Sequence, residues 1–272
     1  HDIVDPNHVG SIVGTTKWTA GKLGGGLEFD GQSHVDLGSL VEFENDRPFS
    51  ISVWIYPADS QPITVVSKMD DAAAYRGFDL IIEQGKPAVH IINHFPDNGL
   101  KAIARNPLPL NAWHHVLATY DGSSKAAGVT IYIDGVAAPL DSIHDNLRDS
   151  IKTDRPVYLG SRSNSVPFKG RIDDVQFYSA QLAGADAKQL YDGQQLANVA
   201  QIIAIPAAKR TLAQQEQLRR FYLENLDESY RKIAADLAEA KRRREEFETT
   251  VVPTMVMQEM TNPRQAFVLN RG

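Results

Sequence analysis

Two carboxylates stand side by side in RIDDVQFYSAQL at 171–182, Asp173 and Asp174, and paired acids are the usual instrument of glycoside hydrolysis. A retaining mechanism needs its two carboxyl groups about 5 Å apart. Residues two apart on a strand share a face, so Glu-x-Asp-x-x-Glu supplies that geometry. Glu28-Phe-Asp30 begins such a pattern, but Ser33 stands where the third acid belongs. Glu42-Phe-Glu44-Asn-Asp46 is spaced differently, and adjacent Asp173 and Asp174 point to opposite faces of a strand. No catalytic residue is assigned, and the chain reads as non-enzymatic.

Metal chemistry has few candidates. There is no cysteine, which removes disulfides, thiolate ligands and cysteine nucleophiles. His90 and His94 are four apart in HIINH, without the Glu of HExxH and on a strand pattern, so they read as a chance pair. His114 and His115 after Trp113 suit packing or surface roles. Calcium takes scattered oxygen ligands, and Asp5-Pro6-Asn7 with an inward Asp173 offers a structural site. A carboxylate hydrogen-bonded to backbone amides, with no metal, is the equal alternative. Sugar binding calls for exposed aromatics and polar side chains on a sheet face or loop rim. Tyr56, Tyr75, His94, Phe95, Asn98 and Arg162 lie in or near loop-like segments and are the ligand candidates.

The elements that must position these residues fall into two regions. Of the 272 residues 42% are hydrophobic, ample for one or two cored domains, and no apolar run is long enough to span a bilayer. Residues 1–193 hold 16 Lys+Arg against 24 Asp+Glu, whereas residues 194–272 hold 12 against 10. An acidic domain with a mildly basic tail lacks the basic excess of a nucleic-acid binder. The chain opens at His1 without methionine or a signal-peptide pattern, which reads as a mature or excised segment.

Residues 1–193 are written in period two. Phe49–Pro57 alternates Phe49, Ile51, Val53 and Ile55 with Ser50, Ser52, Trp54 and Tyr56. Val129–Ala137 reads as a hairpin about Asp134-Gly135. Further strands are expected at Leu27–Asp30, His34–Leu37, Ile63–Lys68, Phe78–Glu83, Ala88–Asn93, Leu100–Ala104, His114–Tyr120, Val157–Gly160 and Ile172–Tyr178. Many short strands without long helices predict a mainly β protein, an antiparallel jelly-roll sandwich.

From about Ala183 the period becomes helical. A short helix is expected over Gly184–Tyr191, closing at Gly193, and a second over Gln194–Ala204, ended by Pro206. Thr211 and Gln214 have the capping-box form. Behind them runs a stripe of Leu223, Leu226, Tyr230, Ile233, Leu237, Ala240, Phe247 and Val251, broken at Arg244. This is the spacing of a coiled-coil or helical-hairpin seam, and KRRREE at 241–246 reads as its solvated face. Pro253 ends the helix. The domain plan is thus 1–193 sandwich, 194–252 helical linker or hairpin, and 253–272 the start of a truncated C-terminal domain.

In order, GKLGGGLEFDGQSHVDLG at 21–38, FSISVWIYP at 49–57, NAWHHVLATYDGSSKAAGVTIYIDGV at 111–136 and FKGRIDDVQFYSAQLAGADAKQLYDG at 168–193 resemble the laminin-G-like, concanavalin A-type jelly-roll family. The resemblance spans essentially all of residues 1–193. It implies that Asp173 and Asp174 belong to a signature Ile-Asp-Glu/Asp-Val strand near the end of the sandwich. By alternation, Asp173 joins Val175 and Phe177 on the inward face, and Asp174 joins Ile172, Gln176 and Tyr178 as its more solvated partner. The family's usual opening strand is not evident, and Asp5-Pro-Asn-His-Val-Gly10 looks like the turn after it, so that strand is expected before His1. The stretches at 202–223 and 254–272 resemble the region joining domains in large planctomycete-type proteins that carry cytochrome-c-like domains. That resemblance implies export and a role around polysaccharides. No CxxCH motif occurs, so no haem is expected in this segment.

Three functions follow as expectations. The first is a non-catalytic module that binds a glycan within a larger exported protein, beside neighbouring domains and with no nucleic-acid partner. The second is a structural or protein–protein interaction module, whose helical stripe folds on itself or self-associates. The third and weakest is a polysaccharide-active enzyme.

Overall fold

The computed structural model describes residues 9–163 and 165–250. It divides into two units, residues 1–209 and 210–272. The first carries fifteen strands: β1 (Ser11–Val13), β2 (Lys17–Ala20), β3 (Gly25–Asp30), β4 (His34–Asp36), β5 (Phe49–Pro57), β6 (Ile63–Asp70), β7 (Arg76–Glu83), β8 (Lys86–His94), β9 (Asn98–Ala104), β10 (His114–Tyr120), β11 (Val129–Ile133), β12 (Val136–Ala137), β13 (Leu140–Asp145), β14 (Tyr158–Leu159) and β15 (Lys169–Tyr178). They form two antiparallel sheets packed as a sandwich. The eight-stranded sheet has the order β1-β4-β14-β6-β7-β8-β9-β13, and the seven-stranded sheet β12-β11-β10-β5-β15-β3-β2.

Alternation explains the layers. Val53 and Ile55 of β5, Val116 and Ala118 of β10, Phe78, Leu80 and Ile82 of β7, and Val89 and Ile91 of β8 fill one core between the sheets. Phe43 stacks on Phe49 with centroids 4.2 Å apart and meets Phe78 at 4.9 Å. The expected hairpin joins β11 to β12 through Asp134 (φ 51°) and Gly135 (φ 79°), both left-handed as a type I′ turn requires. β1, β2 and β13 escape sequence reading because they are short or mostly exposed and lack a clear alternation.

The expected break at Gly193 does not occur. α1 runs continuously over Gly184–Ala204, and its end falls at Ile205 before Pro206. One interior glycine costs a helix only about 1 kcal/mol against alanine and is no stop signal by itself. α1 buries Ala187, and Tyr191 stacks on Trp54 of β5 at 5.6 Å, so the helix covers part of the outer face of the seven-stranded sheet.

In the second unit, α2 (Leu212–Asn225) begins with the predicted capping box: Gln214 N donates to Thr211 Oγ1 at 3.3 Å and Thr211 N to Gln214 Oε1 at 2.9 Å. α3 (Glu228–Thr250) follows after a break at Asp227, whose carboxylate accepts from Tyr230 N at 2.8 Å. The helix runs through Arg244, where only the apolar spacing is broken. Leu226, Tyr230, Ile233, Leu237 and Phe247 are all exposed. Val251 and residues 253–272 lie outside the described residues. No described helix is long and apolar enough to cross a membrane.

Candidate functional site

Strand register across the eight-stranded sheet builds a polar row on its outer face. Ser67 of β6 pairs with Asp79 of β7, Asp79 with His90 of β8, His90 with Lys101 of β9, and Lys101 with His144 of β13. Because Phe78 and Leu80 face the core, Asp79 must face away from it. Arg162, on the β14–β15 connection, closes over this row. It donates from Nε to Asp79 Oδ2 at 2.7 Å, and a second guanidinium nitrogen pairs with the same oxygen. His90 Nδ1 lies 2.7 Å from Asp79 Oδ1, and its Nε2 is 3.7 Å from Glu83, which pairs with Lys101 at 2.6 Å. Burial pushes the Asp79 carboxyl up, but the adjoining His90 and Arg162 outweigh it and hold it below the usual range. Burial likewise works against the charge on Arg162, and Asp79 more than restores it.

Arg162 connects this row to an aromatic shelf at one end of the sheet. Its guanidinium carbon lies 5.7 Å from the centre of the Tyr75 ring. Tyr75, in the β6–β7 turn, meets Phe95 of the β8–β9 turn edge-on at 6.2 Å, and Phe95 meets His144 at 5.0 Å. Tyr75 is 40% exposed and Phe95 36%. The turn that presents Tyr75 is tight: Ala74 and Tyr75 have φ of 52° and 64°, and Phe95 N bonds Ala74 O at 2.9 Å. Gly77 follows at φ 131°, where a Cβ would collide with the carbonyl oxygen of Lys68.

The structure therefore brings Tyr75, Phe95 and Arg162 together. Asn98 sits at the same end but is buried and structural. Its Nδ2 donates to Asp149 at 2.7 Å and its Oδ1 accepts from Arg148 N at 2.8 Å, pinning the 146–150 loop. His94 is exposed and pairs in register with Asn98. Tyr56 is separate, on β5 of the other sheet, where it packs against Trp113 at 5.7 Å and under Arg171 at 5.4 Å. Sequence reading missed Asp79; the signal was an acid inside the apolar run FDLIIE.

Asp173 is a correction. β15 shifts register between Asp173 and Gln176, with Asp174 left-handed at φ 47°. This bulge resets the alternation. Ile172 is in the core and Val175 and Phe177 pack against it, so Asp173 lies on the outer face beside Trp54 rather than inward. It is 9% exposed, and Asp174 is the more solvated of the pair. Leu23 N donates to its Oδ2 at 2.8 Å and Asp174 N to its Oδ1 at 2.9 Å. A Cβ at Gly21 would collide with the carboxylate, so the GKLGGG segment closes around it. Both oxygens thus accept backbone N–H donors, the arrangement the metal-free alternative calls for. No group of three or more His, Asp or Glu that could hold a metal occurs among the described residues, and Asp5 and Asn7 lie outside them.

Two arrangements that suggest catalysis are otherwise committed. Asp79 and Glu83 flank His90 on one face, but Asp79 is buried and bound by Arg162 and His90, and Glu83 pairs with Lys101. Ser52 Oγ lies 2.8 Å from His115 Nε2, as in a nucleophile–base pair. Both residues are fully buried, and His115 packs against Trp54 at 5.2 Å and Tyr191 at 6.3 Å. Asp30 is held low, to about 2, by hydrogen bonds from Thr15, Gln32 N and Ser33, which suits a turn and not a general acid.

The fold is a two-sheet antiparallel β-sandwich with a polar row and an aromatic shelf on one outer face. A family model described as the concanavalin A-like lectin/glucanases superfamily matches residues 29–188, more than half of the chain, and the chain belongs to that superfamily. The binding domain of Paraclostridial Mosquitocidal Protein 1 is similar at 18% identity and a TM-score of 0.56, over 71% of this chain and 49% of that one. The botulinum neurotoxin serotype G binding domain is similar at 14% identity and a TM-score of 0.53, over 70% and 48%. The chain thus spans about half the length of each. Domain 4 of AbnA, an extracellular GH43 arabinanase from Geobacillus stearothermophilus, was solved with arabinotriose; it is 20% identical over 67% of this chain and 87% of that one, at a TM-score of 0.47. These are likenesses of fold. No curated protein matches the chain significantly.

Proposed function

We propose that the sandwich is a non-catalytic carbohydrate-binding module and that it works within a larger exported protein. The observation that carries this reading is the exposed pair Tyr75 and Phe95, edge to face at 6.2 Å, with Arg162 fixed beside it by buried Asp79. Exposed rings offer an apolar platform to the C–H face of a sugar, and fixed polar groups at their rim take its hydroxyls. The superfamily's description names both lectins and glucanases, and the two toxin domains of similar fold are named as binding domains, which leans toward binding. The burial of Asp79 against Arg162 and His90, and the pairing of Glu83 with Lys101, disfavour a glycosidase. Export is inferred from the same family context.

A glycan array read with the intact chain, followed by calorimetry on its hits, tests the proposal. Binding that weakens in Tyr75→Ala and Phe95→Ala supports it; silence across neutral, acidic and sulfated glycans overturns it.

One observation favours a second reading, a structural or interaction module. Leu226, Tyr230, Ile233 and Leu237 recur at three- and four-residue spacing and are exposed, as an unpaired helical seam would be. Light scattering of the intact chain separates a monomer from a self-associated form. Release of reducing ends from a polysaccharide would instead establish the enzymatic alternative.

A further inference from the structure

At the end of the sandwich where β6 and β7 turn, a cleft of about 530 Å³ opens between these strands and the loops at 42–43 and 151–155. Residues of β6 and β7 that line it belong to the inner face, since Lys68 pairs with core residue Phe78 and Asp70 with Arg76. Lys68 is 5% exposed. Its ammonium carries three donors, and its one hydrogen bond among the described residues runs to Val41 O at 2.9 Å. No carboxylate lies within ion-pair distance of it among those residues.

Arg76, half-buried beside it, is in the same condition. The acid directly across the strand pair, Asp70, pairs instead with Arg155 at 3.1 Å and also accepts from Ala72 N. Arg76 bonds through Nε to Asn93 O at 3.3 Å, and no acidic partner is found for its guanidinium among the described residues. Glu42 and Asp154 do line the cleft, as does Lys152, but all three are exposed, where solvent and salt screen them. The charges inside the cleft that no acid neutralises are therefore both positive. A buried ammonium with one acceptor is costly to a fold, and an anion bound against it offsets that cost.

The geometry points to an oxyanion site in this cleft, a carboxylate or sulfate received by Lys68 and Arg76. Ala73 lines the cleft and Tyr75 lies two residues on, so the turn that presents the aromatic shelf also walls the anion site. A uronic acid or sulfate ester on a polysaccharide has the chemistry for both. Assigning the anion to a glycan rests on the carbohydrate-binding reading, whereas the anion site stands on the cleft alone.

The test uses the intact chain with Lys68→Met, which keeps most of the methylene stem, and Arg76→Gln. Melting temperature is read in sodium sulfate and in sodium glucuronate, each against sodium chloride of equal ionic strength. The expected result is stabilisation of the wild type by one or both anions, because a native-state ligand must stabilise, with no response in either variant. Lys68→Met alone should melt above the wild type in chloride, which shows that it folds and that an uncompensated charge was removed. Equal responses in all three proteins, or none in the wild type, overturn the site. Binding of polygalacturonate or dextran sulfate, weakened about tenfold or more in Arg76→Gln, supports the glycan as source. A sulfate response without polysaccharide binding keeps the anion site and removes the glycan assignment.

Discussion

Arg162 and Asp79, 83 residues apart in sequence, meet on the outer face of the eight-stranded sheet, Nε to Oδ2 at 2.7 Å, and the same guanidinium lies 5.7 Å from the Tyr75 ring. One side chain thereby joins a buried ion network to an exposed aromatic shelf. Breaking a buried pair leaves a charge uncompensated in a poorly solvated place.

Arg162→Met and Asp79→Asn are each expected to lower stability by about 3–5 kcal/mol. A double variant, Asp79→Leu with Arg162→Met, recovers part of that loss because no lone charge remains. Urea denaturation with linear extrapolation measures all three. Single variants indistinguishable from the wild type would contradict the network's assigned role.

His115 sets a pH dependence. Its burial beneath Trp54 and Tyr191 pushes it down from 6.5 to about 4, against the opposing charge of Asp134. Between those values the unfolded chain binds more protons than the folded one, so stability rises with pH there. The contribution is full above about pH 6.5 and is lost as pH falls toward about 4, amounting to roughly 3 kcal/mol. Denaturation series over this window should show a steeper fall in the wild type than in His115→Gln. Parallel series would contradict the assignment.

Asp173 is expected to act without metal. Asp173→Ala removes the acceptor for Leu23 N and Asp174 N and should cost about 2–3 kcal/mol. Melting temperature should be the same in millimolar calcium and in chelator. A rise on adding calcium would return Asp173, together with Asp5 and Asn7, to consideration as ligands.

Period-two alternation was enough to read β5, β10 and the β11–β12 hairpin, because each has one face in the core and a chemically different face outside. It misled at β15, where a bulge at Asp174 reverses which side chains point inward, and nothing in RIDDVQFY announces an extra residue. The Gly193 break failed for a related reason: propensity is a weak local term, and Tyr191 stacking on Trp54 holds the helix from outside it. Tyr75, Phe95 and Arg162 were legible as types but not as a cluster. Their meeting depends on strand register and on a loop 67 residues from Phe95, which a single sequence does not encode locally. Lys68 and Arg76 were invisible as a site, because a Lys in a strand reads as solvent-facing until register places it opposite Phe78.

The shelf formed by Tyr75 and Phe95 is expected to bind sugar. Isothermal titration of the intact chain with a glycan selected on the array measures it most directly, comparing wild type, Tyr75→Ala, Phe95→Ala and Tyr56→Ala. Tyr75 and Phe95 are exposed, so their truncation should leave the fold intact, and each should weaken binding by about tenfold, near 1.4 kcal/mol. Tyr56, on the other sheet, should have no effect. Unchanged affinity in both shelf variants, or a loss confined to Tyr56→Ala, would contradict the account.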